Sequence, residues 1–270
     1  MSQTDTLFFP QRRALTSARA IGIRFGAVGT HSSRTMMLEE LTSLLSATSP
    51  NSRLEDYAAA VVEENCLAKQ TAATRKHSLQ HLRELYGLDP GIPLFRILRR
   101  LWQIDSAGRP LLALLVALAR DPLLRATADA IIGMPEGAEL QRTAMREALA
   151  KAVQSRLNDS TLNKVARNAA SSWSQSGHLQ GRTFKFRRAV PATPSAVAFA
   201  LFLADAAGFS TEESFRSAWM RVLDCNSSAA MELAAAAKRL GLIDLRTAGE
   251  VIELNLNRLD PAYQPATKTR

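Results

Sequence analysis

The chain has 270 residues, of which 46% are hydrophobic and 22% are charged, and these proportions exclude a disordered or fibrous protein. Its net charge of +9 favours an anionic partner such as nucleic acid or anionic lipid. Cys66 and Cys225 lie far apart, which excludes a cysteine zinc site, argues against a disulfide framework and fits a reducing cytoplasm. The longest uncharged apolar run, 110–119, is about half the length that spans a bilayer, so we expect a cytoplasmic protein without a membrane partner.

Residues 1–34 form a basic leader with no acid between residues 6 and 38. Its cations are Arg12, Arg13, Arg19, Arg24 and Arg34. Three interpretations stay open: a transit peptide, a basic arm and a poorly ordered leader. Met36 and Met37 come just before the first clear helix, so a start there would make the leader irrelevant to the fold.

Helical periodicity dominates the chain from residue 35 to residue 153. The predicted helices cover residues 35–46, 54–65, 71–86, 93–103, 111–120, 122–132 and 139–153. The helix over 111–120 is apolar nearly all round, which predicts a central buried position. We therefore expect an N-terminal helical domain over 35–157, containing a helix-turn-helix-like pair.

The second half of the chain mixes helices with short strands. Helices are predicted over 160–176, 195–207, 211–223 and 227–240. Residues 182–190 read as a strand or wing, and 242–245 with 251–256 as a small hairpin. This predicts a C-terminal helical domain over 158–258 with winged-helix-like elements, and a disordered tail over 259–270. The expected fold class is mainly α: a multi-helix bundle with small β-hairpins.

The helix pair 54–65 and 71–86 has the layout of a helix-turn-helix and is the first candidate for DNA binding. Small, hydroxyl and basic residues open its second helix, where free N–H groups favour phosphate oxygens. The predicted DNA-binding residues are Lys69, Thr71, Thr74, Arg75 and Lys76. An ordinary two-helix hairpin with a solvated basic face is the alternative.

The helix over 160–176 is the stronger candidate, because its polar face has no acid and carries donors suited to phosphates and base edges. That face consists of Lys164, Arg167, Asn168, Ser171 and Gln175. A helix, Gly177 and then a basic strand is the order typical of a winged helix. The strand's cations are Arg182, Lys185, Arg187 and Arg188. Its alternation is imperfect, so the side that faces outward stays open, as does a simple solvated hairpin.

A third helix and hairpin, 231–256, has a similar shape but carries acids, among them Glu232, Asp244, Glu250 and Glu253. These acids repel phosphate, so we interpret it as structural or as a protein contact. The sequence has no nucleotide phosphate loop and no GxSxG. His77 and His81 have a metal-binding spacing but lack a third ligand. We therefore expect no enzymatic activity, no metal and no cofactor.

Two segments resemble the BrxA-like family of BREX bacteriophage-defence systems. One is 61–75, which reads VVEENCLAKQTAATR, and the other is 160–168, STLNKVARN, followed by GHL at 177–179. The resemblance spans roughly residues 35–258. It implies a helical fold partly similar to NusB, double-stranded DNA binding without catalysis, and methyltransferase, ATPase and phosphatase-like defence proteins as partners.

The leading hypothesis is a DNA-binding accessory component of phage defence. A protein-binding scaffold whose basic faces meet an acidic partner is a second reading, and a transcriptional regulator with a defined operator is a third. RNA binding stays open, although the aromatic content is only 6% and no aromatic-rich strand pair is evident.

Overall fold

The computed structural model describes residues 7–10, 14–153, 157–249 and 251–263. Most of them are helical, and they include two small antiparallel sheets, so the predicted mainly helical fold with small β-hairpins is confirmed. Arg12 and Arg13 of the predicted leader, Glu250, and residues 264–270 of the predicted tail lie outside the described residues.

Helices follow one another along the first half of the chain. They are α1 Leu15–Ala20, α2 Leu38–Ala47, α3 Leu54–Val62, α4 Ala72–Tyr86, α5 Pro93–Ile104, α6 Arg109–Arg120, α7 Pro122–Ala126, α8 Ala128–Ile132 and α9 Arg142–Val153. The predicted helix over 122–132 is thus two short helices. They meet at Thr127, whose hydroxyl donates to Leu124 O at 2.7 Å and accepts from Trp173 Nε1 at 2.9 Å.

The second half adds helices and both sheets. Its elements are α10 Asp159–Gln175, β1 Leu179–Gln180, β2 Phe186–Arg187, α11 Pro194–Ala206, α12 Thr211–Ser214, α13 Ala218–Arg221, α14 Ser227–Arg239, β3 Asp244–Ala248 and β4 Val251–Asn255. The predicted helix over 211–223 is divided, because the Ser217 hydroxyl caps a new helix at Met220 N. Strands β3 and β4 form the predicted hairpin, with Asp244 opposite Asn255.

The centre of the molecule is built on α6 and α11, which pack against each other. Residues 111–120 are all buried, as their apolar character predicts. Helix α11 is also buried along nearly all its length, and it begins where the Thr193 side chain accepts from Ala196 N at 3.2 Å. Pro194 occupies the first turn, where its missing N–H costs nothing.

A smaller apolar cluster lies beside this centre and joins α7, α9 and α10. It consists of Leu123, Ala126, Leu149, Val153, Leu162 and Val165. The predicted domain boundary at residue 157 stays a prediction, but that position lies between α9 and α10, whose apolar faces share this cluster.

The described part of the leader packs into the core, which none of the three interpretations from the sequence included. Among its described residues, several are wholly or nearly buried in the main core: Phe8, Phe9, Ala18, Ile21 and Ile23. Phe8 and Phe9 both contact the Trp219 ring edge-to-face. These residues add apolar area to the core, an effect worth about 25 cal/mol per Å² of surface removed from water. The composition gave no sign of this, because the partners lie about two hundred residues away in sequence.

Two buried arginines hold the leader's backbone. Arg120 donates to Gly22 O at 2.7 Å, and Arg125 donates to Arg24 O at 3.0 Å. The Arg125 guanidinium also lies over the Phe9 and Phe25 rings. Burial lowers the pKa of Arg120 to about 10, which leaves it charged at neutral pH. The start of the predicted tail is ordered too, since Asp260 is buried and pairs with Arg96 at 2.7 Å.

Candidate nucleic-acid interface

Helix α10 presents an exposed basic surface along its first half. It begins where the Asn158 side chain accepts from Thr161 N at 2.8 Å. Lys164 and Arg167 are both exposed, and no carboxylate of the described residues pairs with either. Asp159, the single acid of this helix, is bound to Arg146 at 3.0 Å. The two cations therefore remain free to bind a polyanion.

The second half of that polar face is covered by residues 31–38, at the end of the leader and the start of α2, which corrects the prediction for two residues. Asn168 Nδ2 donates to His31 O at 2.9 Å. Gln175 accepts from Leu38 N at 3.0 Å and donates to Thr35 Oγ1 at 3.0 Å. Both amides satisfy backbone or side-chain groups of residues 31–38 and are not free to read DNA. Ser171 lies beside them and is half-buried.

A buried trio of side chains fixes the leader to α10. His31 Nδ1 lies 2.8 Å from Asp121 Oδ2, and its Nε2 lies 2.8 Å from Ser172 Oγ. The order matches a hydrolytic triad, but the three side chains are at most 1% exposed. Ser172 Oγ also accepts from Met36 N at 2.8 Å. Because no substrate can reach the hydroxyl, we interpret the trio as a structural lock.

Residues 137–140 pair with β2 through their backbone, although the predicted helix began at residue 139. Arg187 N donates to Ala138 O at 2.9 Å, and Leu140 N donates to Lys185 O at 2.7 Å. Strand β1 pairs with the other edge of β2, with Leu179 opposite Arg187. The chain thus runs through this paired segment, α9, α10, β1, a short loop and β2, and β2 lies between residues 137–140 and β1. This is the order of elements in a winged helix, with α9 and α10 as its helix pair.

Two of the four predicted wing cations lie inward and two are exposed. The burial of Arg187 corrects the prediction that it binds DNA. Arg187 is buried, donates to Ile131 O at 3.1 Å and pairs with Asp224, so it is a structural residue. Lys185 is half-buried and donates to Ser174 Oγ at 2.8 Å, and burial lowers its pKa. Arg182 and Arg188 are exposed. These two exposed cations lie in the loop before β2 and directly after β2, in the segment that follows the C-terminal end of α10.

The first helix pair, α3 and α4, has fewer side chains free to bind DNA than the sequence suggests. Lys69 pairs with Glu40 at 3.0 Å, and Arg75 donates to Val62 O at 3.1 Å and Lys69 O at 3.2 Å. Thr71 caps α4 by accepting from Thr74 N. These contacts hold the turn between the helices together. Thr74 and Lys76 are exposed at the start of α4.

The comparisons with known proteins give no family. No protein-family model matches the chain, and no curated protein matches it.

Other candidate sites differ from the α10 surface. Around α14 and the β3–β4 hairpin, Glu232 and Glu253 are exposed and Asp244 pairs with Arg258 at 2.9 Å. His81 lies 3.6 Å from Glu84, and burial lowers its pKa. Across the described ranges, possible ligand side chains do not gather in groups of three that could hold a metal ion. Within the same ranges, no helix combines the length and apolar character that a membrane crossing requires.

Several features of this surface were missed at the level of sequence. Ser160 and Asn163 are exposed on the same side of α10 as Lys164 and Arg167, and their helical spacing could have revealed them. The sequence near residues 137–140 gives no sign that their backbone pairs with β2, and the sequence near residues 31–38 gives no sign that they cover α10. Both depend on backbone groups that meet only after the chain has folded.

A neutral buried histidine supports the wing's base and predicts a pH effect on stability. His178 Nε2 donates to Val222 O at 2.7 Å, and burial lowers its pKa to about 4. In the unfolded chain its pKa is about 6.5, so the unfolded state binds more protons than the folded state between these two values. The free energy of unfolding therefore decreases as the pH is lowered through this range. This group should cost about 2 kcal/mol of unfolding free energy between pH 7 and pH 5.

Urea unfolding at both pH values checks this expectation. His178→Gln, which cannot titrate, should be less stable at pH 7 but lose less between pH 7 and pH 5 than the wild type. His77→Gln, at an exposed site on α4, is the control and should match the wild type. Equal pH dependence of His178→Gln and the wild type would contradict the assignment.

Proposed function

We propose that this chain binds double-stranded DNA without catalysing a reaction, as an accessory component of a phage-defence system of the BREX type. One observation carries the DNA-binding part: Lys164 and Arg167 are exposed and free of carboxylate partners on the second helix of a winged-helix arrangement. In helix-turn-helix proteins, that helix enters the major groove. The defence context rests on the resemblance of 61–75 and 160–168 to the BrxA-like family, with other defence proteins as expected partners.

The charges around this helix support duplex DNA over an acidic protein. Arg182 and Arg188 on the wing add cations to those of α10, and a strongly basic chain suits a long, regular polyanion. Phosphate contacts position such a protein, and exposed Asn163 and Ser160 have donors that reach base edges or phosphates.

The salt dependence of duplex binding tests this proposal. Four cation–phosphate contacts predict that log K falls against log salt with a slope of about −3 to −4, because bound counterions are released. Fluorescence anisotropy with a labelled duplex should then show about 100-fold weaker binding at 200 mM than at 50 mM salt. Absence of binding at 50 mM salt, or binding that salt does not weaken, would contradict duplex recognition.

A protein-binding scaffold is the second candidate, and one observation favours it. An open groove of about 720 Å³ lies between α12, α14 and the β3–β4 hairpin, lined by Phe209, Phe215, Met231 and Ile252. Glu212 and Arg216 at the same groove give it both signs of charge. It lies in a different part of the chain from the α10 surface, so the two functions are compatible.

A further inference from the structure

The outer face of the wing carries two aromatic rings between two cations. Arg182, Phe184, Phe186 and Arg188 are all exposed, whereas Lys185 and Arg187 turn inward to Ser174 Oγ and Ile131 O. This settles which side of the strand faces out. We call these four outward residues the wing stripe.

The exposure of both rings in the wing stripe is unusual for this protein. Phe184 is 62% exposed and Phe186 is 42% exposed, and they are the only exposed aromatic side chains among the described residues. Phe186 begins β2, and Phe184 lies two residues earlier, in the loop that leads into the strand. Two exposed rings this close along the chain can each take one base of an extended nucleic-acid strand, since every base has a π-face for stacking.

The wing stripe is held in place before any ligand binds. Gly181 has φ +114°, and a Cβ there would lie 2.1 Å from Phe184 O, so the tight turn requires glycine. Lys185 Nζ ties the loop to the last turn of α10 through Ser174 Oγ. Strand β2 has hydrogen-bonded neighbours on both edges. A rigid platform loses little conformational entropy on binding.

The charges of the stripe fit a nucleic-acid strand at the wing's tip. Arg182 and Arg188 flank the two rings and can bind phosphates. Gln180 and Glu139 lie opposite Phe186 on the same face, and Arg188 Nε donates to Gln180 Oε1 at 2.8 Å. Two acids lie near the β2 end of the stripe: Glu139 is opposite Phe186, and the Glu136 carboxylate accepts from Ala189 N at 3.4 Å, whereas Arg182 and Phe184 lie farther along the loop.

We propose that the wing stripe binds unpaired bases of a single DNA strand that adjoins a duplex held on α10. The Phe184 and Phe186 rings stack on two bases, and Arg182 and Arg188 bind the phosphates beside them. This goes beyond the proposed duplex binding, because a closed duplex hides the faces of its bases. The tie between Lys185 and Ser174 holds the stripe at the C-terminal end of α10, about 10 Å along the helix from Arg167. A single strand that leaves a duplex held on α10 can span that distance, which favours DNA over an unconnected RNA strand.

The test compares a blunt duplex with the same duplex carrying a ten-thymidine tail at either end, by fluorescence anisotropy. Wild-type protein should bind one tailed duplex about tenfold more tightly than the blunt one. Phe184→Leu/Phe186→Leu keeps apolar side chains but removes the π-faces, so it should lose this gain and bind the blunt duplex as before. Phe184→Trp/Phe186→Trp should restore the gain.

Every other outcome either supports or overturns the proposed binding of a single strand. Equal binding of both duplexes by the wild type, or an undiminished gain in the leucine variant, would overturn the proposal. If the wild type binds a free thymidine oligonucleotide in a ring-dependent way but no blunt duplex, stacking by the stripe stands and duplex binding fails. A preference for uridine RNA tails overturns the assignment to DNA. If the thymidine tail does not change the affinity of the wild type, and the wild type and the leucine variant bind phosphatidylserine vesicles equally, the surface is instead a membrane-binding surface.

Discussion

Replacing Asp121 by alanine is expected to lower the free energy of unfolding by about 3–5 kcal/mol, because it breaks a buried charged network. Burial raises the pKa of Asp121, but the charge and hydrogen bonds of His31 outweigh that effect and hold the pKa below its usual value. The same carboxylate caps α7 through Leu123 N and Leu124 N and accepts from His31 N at 2.9 Å. One substitution therefore removes the lock on the leader and the cap of a helix.

Urea unfolding at pH 7 measures the effect, and Asp129→Ala is the matched control. Asp129 is exposed in the first turn of α8, so its loss should cost about 0.5 kcal/mol. Because the pKa of Asp121 is depressed, its contribution is present above about pH 3.9 and is lost as the pH falls through the folded value. A loss below 1 kcal/mol in Asp121→Ala would show that the lock does not stabilise the fold.

Much of the helical framework could be predicted from local pattern. The run 111–120 is apolar on every side, and only a central helix can bury all of it, as α6 does. Helix α10 follows its stripe of Leu162, Val165 and Trp173 as predicted. The β3–β4 hairpin follows from alternation on both sides of a glycine-containing turn. In each case the information lies within about fifteen consecutive residues.

Features that depend on distant partners could not be predicted. The sequence left the leader open as a transit peptide, a basic arm or a poorly ordered segment, but Phe8 and Phe9 pack on Trp219, which lies far along the chain. The predicted helix over 139–153 includes Glu139, yet Glu139 pairs with Phe186 of β2 and the helix begins only at Arg142. A strand that gains its hydrogen bonds from a non-local neighbour overrides helix propensity.

The candidate site was predicted in part. Lys164 and Arg167 lie exposed on the face that the periodicity assigns to solvent. Asn168 and Gln175 share that face but donate to His31 O and Thr35 Oγ1, because an amide serves a carbonyl or a hydroxyl as well as it serves a base. Arg187 and Arg188 are neighbouring cations of the same basic segment, so the sequence does not distinguish them. Only the register of β2 places Arg187 inward, against Asp224.

Reversing both exposed charges of α10 is expected to have the largest effect on DNA binding. Each cation contact to DNA is worth about 1–3 kcal/mol, so Lys164→Glu/Arg167→Glu should weaken duplex binding by about 100-fold or more. The fold should persist, because both side chains are exposed and glutamate is a good helix former. Circular dichroism and urea unfolding check that the variant remains folded.

The most direct test of the account is the duplex affinity of this variant beside that of Lys238→Glu/Arg239→Glu. The control makes the same change in net charge at two exposed positions of α14, in the last turn of a different helix. Anisotropy at 100 mM salt should show the α10 variant bound about 100-fold more weakly than wild type and the α14 variant weakened by less than about fivefold. Equal loss in the two variants, or full binding by the folded α10 variant, would contradict recognition of DNA by α10.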